Sequence, residues 1–181
     1  MIHPFTDLVK QFFPRVHAFM RAQLDILEEH SAIVAPFPGS AFSTVEFNFG
    51  DTPMHTRKDV RDAFHAPRVI TILRDFNPLE SAILMVPRDN LAMCCPPGST
   101  IVIASSVKDF FFTKVKPGQM RYLFQQSFHS SIQGWIDRGF RSAAAYDAEA
   151  TAEEKLEVET RSNAWVPFTV KLFSRLHELY A

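Results

Sequence analysis

Apolar positions in the first thirty residues repeat at helical spacing. "FTDLVKQFF" is one such set, Pro14 interrupts it, and "RVHAFMRAQLDILEEH" resumes it. In the second run Val16, Phe19, Met20, Leu24 and Leu27 fall close to i, i+3/4, i+7/8, which predicts a helix with one face turned inward. The breaker cluster "PFPGS" at 36–40 ends this region. From about 41 to 128 the period shortens to two. "FSTVEFNF" sets Phe42, Thr44, Glu46 and Asn48 on one face and Ser43, Val45, Phe47 and Phe49 on the other. "RVITILR", "SAILMV", "LAMCC", "STIVIAS", "FFFTKV" and "MRYLFQQSF" follow, divided by the turn signals "FNPLE", "PRDN", "PPGS" and "KPGQ". Seven or eight short strands at such spacing predict an antiparallel sandwich or barrel, not a βαβ fold. The last third returns to helix. "SSIQGWIDRGF" predicts a short one, Thr151 with Glu154 opens another through a capping box, and Pro167 is placed to start a final amphipathic helix, "FTVKLFSRLHELY".

The expected fold class is α+β. N-terminal helices (1–40), an antiparallel β core (41–128) and C-terminal helices (129–181) make a single domain. With 46% hydrophobic and 22% charged residues, the composition is that of an ordinary globular chain. The net charge of -1 is spread along the sequence. It gives no signal for a nucleic-acid partner, and no basic amphipathic stretch points to a membrane. Phenylalanine stands out, with 18 copies against 3 tyrosines and 2 tryptophans, and either fills the core or lines an apolar pocket. The adjacent Cys94 and Cys95, without a signal peptide or membrane span, read as reduced thiols in an intracellular, cytoplasmic protein.

Two stretches hold candidate chemistry. "PMHTRKDV" at 53–60 places His55, Arg57 and Asp59 together just after a Gly-Asp turn. "KPGQ" delivers Arg121 into the apolar run "MRYLFQQSF". An arginine there either snorkels to solvent or points into the mouth of the β core, where its planar fork would hold a carboxylate bidentately. No Gly-rich phosphate loop, G-x-S-x-G or H-E-x-x-H motif occurs.

The layout from about Phe47 to Ser142 runs "FNFG", "HT", a buried strand pair, "PPGSTIVIASS", "KPGQMRYLFQQSF" and "GWIDRGFRS". It resembles a fungal group of double-stranded β-helix (jelly-roll, cupin-like) proteins related to the iron(II)/2-oxoglutarate-dependent dioxygenases. In that superfamily a His-x-Asp and a later histidine bind iron, leaving positions open for co-substrate and oxygen. An arginine further along grips the 2-oxoglutarate carboxylate. The resemblance implies that Arg121 takes the cofactor-binding place and His55 that of the first metal histidine. It then departs from the pattern: the residue two after His55 is Arg57, Asp59 is four away, and the distal position falls at Phe110 to Phe112. Phenylalanine cannot ligate a metal.

The expectation is a dioxygenase-like pseudoenzyme that has lost iron(II)/2-oxoglutarate chemistry. It binds a small organic ligand, or acts on it, in the β-core pocket. His55 and Arg57 supply acid–base groups there, Arg121 grips the acid, and Phe110, Phe112 and Tyr122 form the pocket. The alternative is an oxidoreductase that keeps iron(II) and 2-oxoglutarate through a nonstandard set built on His55 and Asp59, with His65 or His129. The expected partner is a small molecule.

Overall fold

Each of the seven alternating stretches becomes a strand. They are β1 (Thr44–Phe49), β2 (Arg68–Leu73), β3 (Leu84–Val86), β4 (Leu91–Met93), β5 (Thr100–Ile103), β6 (Phe111–Phe112) and β7 (Tyr122–Ser127). The computed structural model describes residues 3–50 and 58–179. Among these, the strands form a four-stranded sheet in the order β1-β7-β2-β5 and a three-stranded sheet in the order β4-β3-β6. Every pairing is antiparallel. The pairs β3:β4, β2:β5 and β1:β7 are nested, so the chain runs as one long ribbon that doubles back at the 3-10 turn Pro87–Asp89. Coiling that ribbon sets β2 against β7 and β3 against β6. Asn90 closes the turn in the left-handed region at φ 51°, which asparagine tolerates better than most side chains.

Register fixes which residues share a face. Asn48 and Ile72 both lie opposite Leu123, and Glu46 and Ile70 both lie opposite Gln125. On the inner face Ile70, Ile72 and Leu123 meet Leu84, Val86 and Phe112 of the other sheet, with Phe110 just before β6, in one core. Each such side chain contributes about 1.5–3 kcal/mol on burial. The outer face carries Phe47 and Phe49, 55% and 65% exposed, with their rings stacked at 6.1 Å. Strand β1 thus turns its aromatics outward and Glu46 and Asn48 inward, against the usual sense of an alternating strand.

Thr44–Phe128 is one compact unit, and residues 1–43 with 129–181 are the other. The second unit is helical: α1 (His3–Phe12), α2 (Pro14–His30), α3 (Ser131–Asp137), α4 (Ala143–Glu149) and α5 (Ala152–Val170). Pro14 sits at the start of α2, where its missing N–H costs nothing. Val16, Met20, Leu24 and Leu27 are buried along that helix as their spacing predicts. The capping box of α5 is complete: Thr151 Oγ1 accepts from Glu154 N–H at 3.2 Å, and Glu154 Oε2 accepts from Thr151 N–H at 2.8 Å.

Pro167 does not start a helix. It lies inside α5, which runs on to Val170, and the expected final helix reduces to a 3-10 turn at Leu176–Leu179. Proline removes one N–H bond and crowds the carbonyl four residues back. So close to the helix end, the damage is confined to the last turns. Trp165 and Phe168, on either side of Pro167, pack on Phe19 at 5.7 and 5.4 Å and hold the segment helical. Helix α4 was not anticipated. Ser142 caps it by accepting from Ala145 N–H at 3.1 Å. Among the described residues, no helix is long and apolar enough to cross a membrane.

Candidate functional site

Two arginines enter the inner face of the four-stranded sheet, one at each end. Arg121 is placed by the turn Lys116–Gln119, in which Pro117 and Gly118 (φ 83°) fit the two central positions of a type II turn. The N–H of Gln119 bonds to the carbonyl of Lys116 at 3.1 Å, and that of Met120 to Asp75 at 3.3 Å. Arg121 follows directly, one residue before β7, and is 1% exposed. It does not snorkel to solvent. Its guanidinium carbon lies 5.1 Å from the centroid of the Phe112 ring, so a cation from one sheet rests on an aromatic face from the other.

Arg68 opens β2 at the far end. Its guanidinium makes four hydrogen bonds to oxygen and a further ion pair. Nε bonds to Asp62 Oδ2 at 2.8 Å and Nη2 to Asp62 Oδ1 at 3.1 Å, and Nη2 forms an ion pair with Asp59 Oδ2 at 2.7 Å. Nη1 reaches Glu46 Oε2 at 3.3 Å and Gln125 Oε1 at 3.2 Å. Ser105 Oγ donates to Asp62, and the Asp59 N–H bonds to the Ser105 carbonyl at 2.9 Å. Burial alone would lower the Arg68 pKa. Hydrogen bonding and charge from Asp62, then the charges of Asp59 and Glu46, outweigh it and leave the pKa raised.

Those expected site residues that are among the described ones do not lie together in one place. His55 and Arg57 lie outside the described residues. Asp59, the expected metal carboxylate, is held by Arg68. Phe110 and Phe112 are core residues, 0% and 3% exposed, and pack among Ile72, Leu84 and Leu123. Tyr122 must be removed from the pocket set. The strand period of two turns it away from Arg121 to the outer face, where it meets Phe49 at 5.2 Å and lies under the Arg74 guanidinium at 5.1 Å. His65 is buried between the rings of Phe64 and Phe128, and desolvation lowers its pKa to about 4. His129 belongs to the helical unit, where its Nδ1 accepts from the Ser131 N–H at 3.2 Å at the start of α3. Cys94 is exposed, and Cys95 is buried with its thiol pKa raised by desolvation.

An iron centre of the kind the resemblance implies does not fit the described residues. Strand β6 and the residue before it offer only phenylalanine, and the nearest carboxylates are engaged by a guanidinium. No group of three or more His, Cys, Asp or Glu among the described residues is disposed to hold a metal.

No protein family model matches the sequence, and no curated protein matches it. The structure is similar to twelve chains of solved structures. One is NgTET1 in complex with 5mC DNA, at a TM-score of 0.47 and 12% identity, covering 70% of this chain and 50% of that one. The chain thus spans half the length of that structure.

The Arg68 cluster was missed as a unit, although Asp59 and Asp62 stand close to His55 in the sequence. Its traces are there. An arginine heads an apolar strand, a glutamate and an asparagine share one face of β1, and "QQS" interrupts the apolar run of β7. Each is weak alone, and only the register brings them together.

Proposed function

We propose that Thr44–Phe128 is a dioxygenase-like double-stranded β-helix that binds a small carboxylate-bearing ligand without iron, with Arg121 as its anchor. The nested strand pairing supports the fold, because rolling up one long antiparallel ribbon is what builds a jelly roll. The observation that carries the function is the burial of the Arg121 guanidinium between the two sheets, beside the face of Phe112. A guanidinium in low-dielectric surroundings has its strongest match in a planar carboxylate, which its fork takes in two parallel hydrogen bonds. His55 and Arg57 remain the proposed acid–base groups toward the bound ligand. The iron-dependent alternative would require Asp59 to leave Arg68.

Calorimetric titration of 2-oxoglutarate and simpler dicarboxylates, with chelator present throughout, tests this. Binding is expected to survive the chelator and to weaken roughly 30-fold or more in Arg121→Met, the scale for removing one partner of a buried charge pair. Failure of every carboxylate to bind the wild-type protein would overturn it. Binding that appears only with added iron(II) would favour the oxygenase.

A further inference from the structure

Helices α3 and α5 face each other across a cleft of about 270 Å3. Gln133, Gly134, Asp137 and Arg138 line it from α3 and its C-terminal end. Val158, Arg161, Ser162 and Trp165 line it from α5. Both sets follow helical spacing, so each is one stripe on its helix. On α2 the residues at such spacing are mostly apolar and buried. Here the stripes carry two arginines, an aspartate, a glutamine and a serine, and they enclose a polar cleft in place of a core.

We propose that this cleft binds a small hydroxylated phosphate monoester, with Arg138 as its anchor. Arg161 is partly committed to Asp137. Its Nε lies 3.6 Å from Oδ1, and its Nη2 donates to the Asp137 carbonyl at 3.3 Å. The Arg138 side chain, among the described residues, bonds only to the Arg141 carbonyl, from Nε at 3.4 Å, which leaves the two terminal nitrogens of its fork for an oxyanion. Gly134 makes room for that fork: a Cβ there would stand 3.0 Å from Arg138 Nη1. Arg138, the remaining Nη1 of Arg161 and the Ser162 hydroxyl offer donors to the three terminal oxygens of a phosphate, where a carboxylate has two. Gln133 Oε1 is buried with no hydrogen-bond partner among the described residues, so the cleft also calls for a donor, which a hydroxyl on the carbon part of the ester supplies. Trp165 gives that carbon part an apolar wall. The volume far exceeds the roughly 30 Å3 share of one water and suits a small organic molecule. All these residues belong to the helical unit, and the proposal does not depend on Arg121.

The test is a titration read by Trp165 fluorescence, in a Trp135→Phe background that leaves Trp165 as the remaining tryptophan. The probes are glycerol 3-phosphate, inorganic phosphate and sulfate, at roughly 0.15 M salt to screen exposed charges. Glycerol 3-phosphate is expected to give a saturable change, at an affinity at least tenfold above that of inorganic phosphate or sulfate. Arg138→Met should weaken it tenfold or more, the scale of one charge-assisted hydrogen bond. Gly134→Ala displaces the guanidinium while keeping its charge, and should weaken binding by a similar factor with Tm unchanged or higher.

No saturable response to either phosphate would overturn the proposal, and so would equal affinity in the parent and Arg138→Met proteins. Inorganic phosphate binding as tightly as the ester would overturn the assignment to an ester. If Trp135→Phe does not fold, calorimetry on the wild-type chain and on Arg138→Met decides among the same outcomes.

Discussion

Arg68 and Arg121 stand at the heads of neighbouring antiparallel strands, at opposite ends of one sheet face. Both are buried. Arg68 is surrounded by carboxylates, whereas Arg121 has an aromatic ring beneath it and belongs to an end of the sheet rich in phenylalanine and leucine. The same side chain has thus been taken out of water by two different routes. One is direct charge neutralisation, with four hydrogen bonds and ion pairs to three carboxylates around the guanidinium. The other places the flat cation on a π face. Burial alone therefore does not mark a ligand-binding arginine. The groups around the guanidinium, carboxylates at Arg68 and an aromatic ring at Arg121, are what differ.

Exchanging each arginine for methionine tests that distinction most severely. Arg68→Met strands three carboxylates around an apolar tip, and the expected loss is about 3–5 kcal/mol in urea unfolding. Arg121→Met removes a desolvated cation–π contact of about 2 kcal/mol. It also removes the cost of burying the charge, so its net loss should be clearly smaller. Equal losses would erase the difference between the two ends.

His65, another buried ionisable group, is removed from water in neutral form. Its native pKa of about 4 lies below the 6.5 of an unfolded histidine, so the unfolded chain binds the proton first as pH falls. The stability due to its neutral burial is complete above pH 6.5 and is lost progressively down to about pH 4, by about 3 kcal/mol. Urea unfolding at stepped pH should show this slope, and His65→Leu should remove its share. An unchanged slope in that variant would assign the acid sensitivity to the carboxylates around Arg68 instead.

The strands were legible because period-two alternation and the "PRDN", "PPGS" and "KPGQ" turns are local signals, and all seven predicted stretches form strands. Faces were harder. Phe47 and Phe49 look like core residues but point outward, because Glu46 and Asn48 are on the inward side of the same strand. Pro167 misled for a related reason: aromatic packing on Phe19 outweighs a helix-breaking residue near a helix end. At the site, Arg121 could be read from the sequence as a charge inside an apolar run after a tight turn. Arg68 begins an equally apolar run, but its meaning depends on Glu46, Asp62, Ser105 and Gln125, spread across 80 positions and joined only by folding.

The smallest expected effect sharpens the comparison by asking how many carboxylates the Arg68 cradle needs. Glu46 is the outer arm, 41% exposed, with its oxygen 3.3 Å from Nη1. Solvent screens such a pair, and Glu46→Gln should cost under about 1 kcal/mol. Asp62 is the inner arm. It takes two bonds from Arg68 and one from Ser105 in near-complete burial, so Asp62→Asn should cost about 3 kcal/mol or more. Double-mutant cycles with Arg68→Met read both couplings in the same unfolding assay. A large Asp62 coupling with a small Glu46 coupling makes the cradle a buried ion pair with a solvated third arm, and added salt should then weaken only the Glu46 coupling. If Glu46→Gln costs as much as Asp62→Asn, all three carboxylates act as one desolvated cage. The contrast with the aromatic setting of Arg121 would then be greater than the exposure of Glu46 suggests.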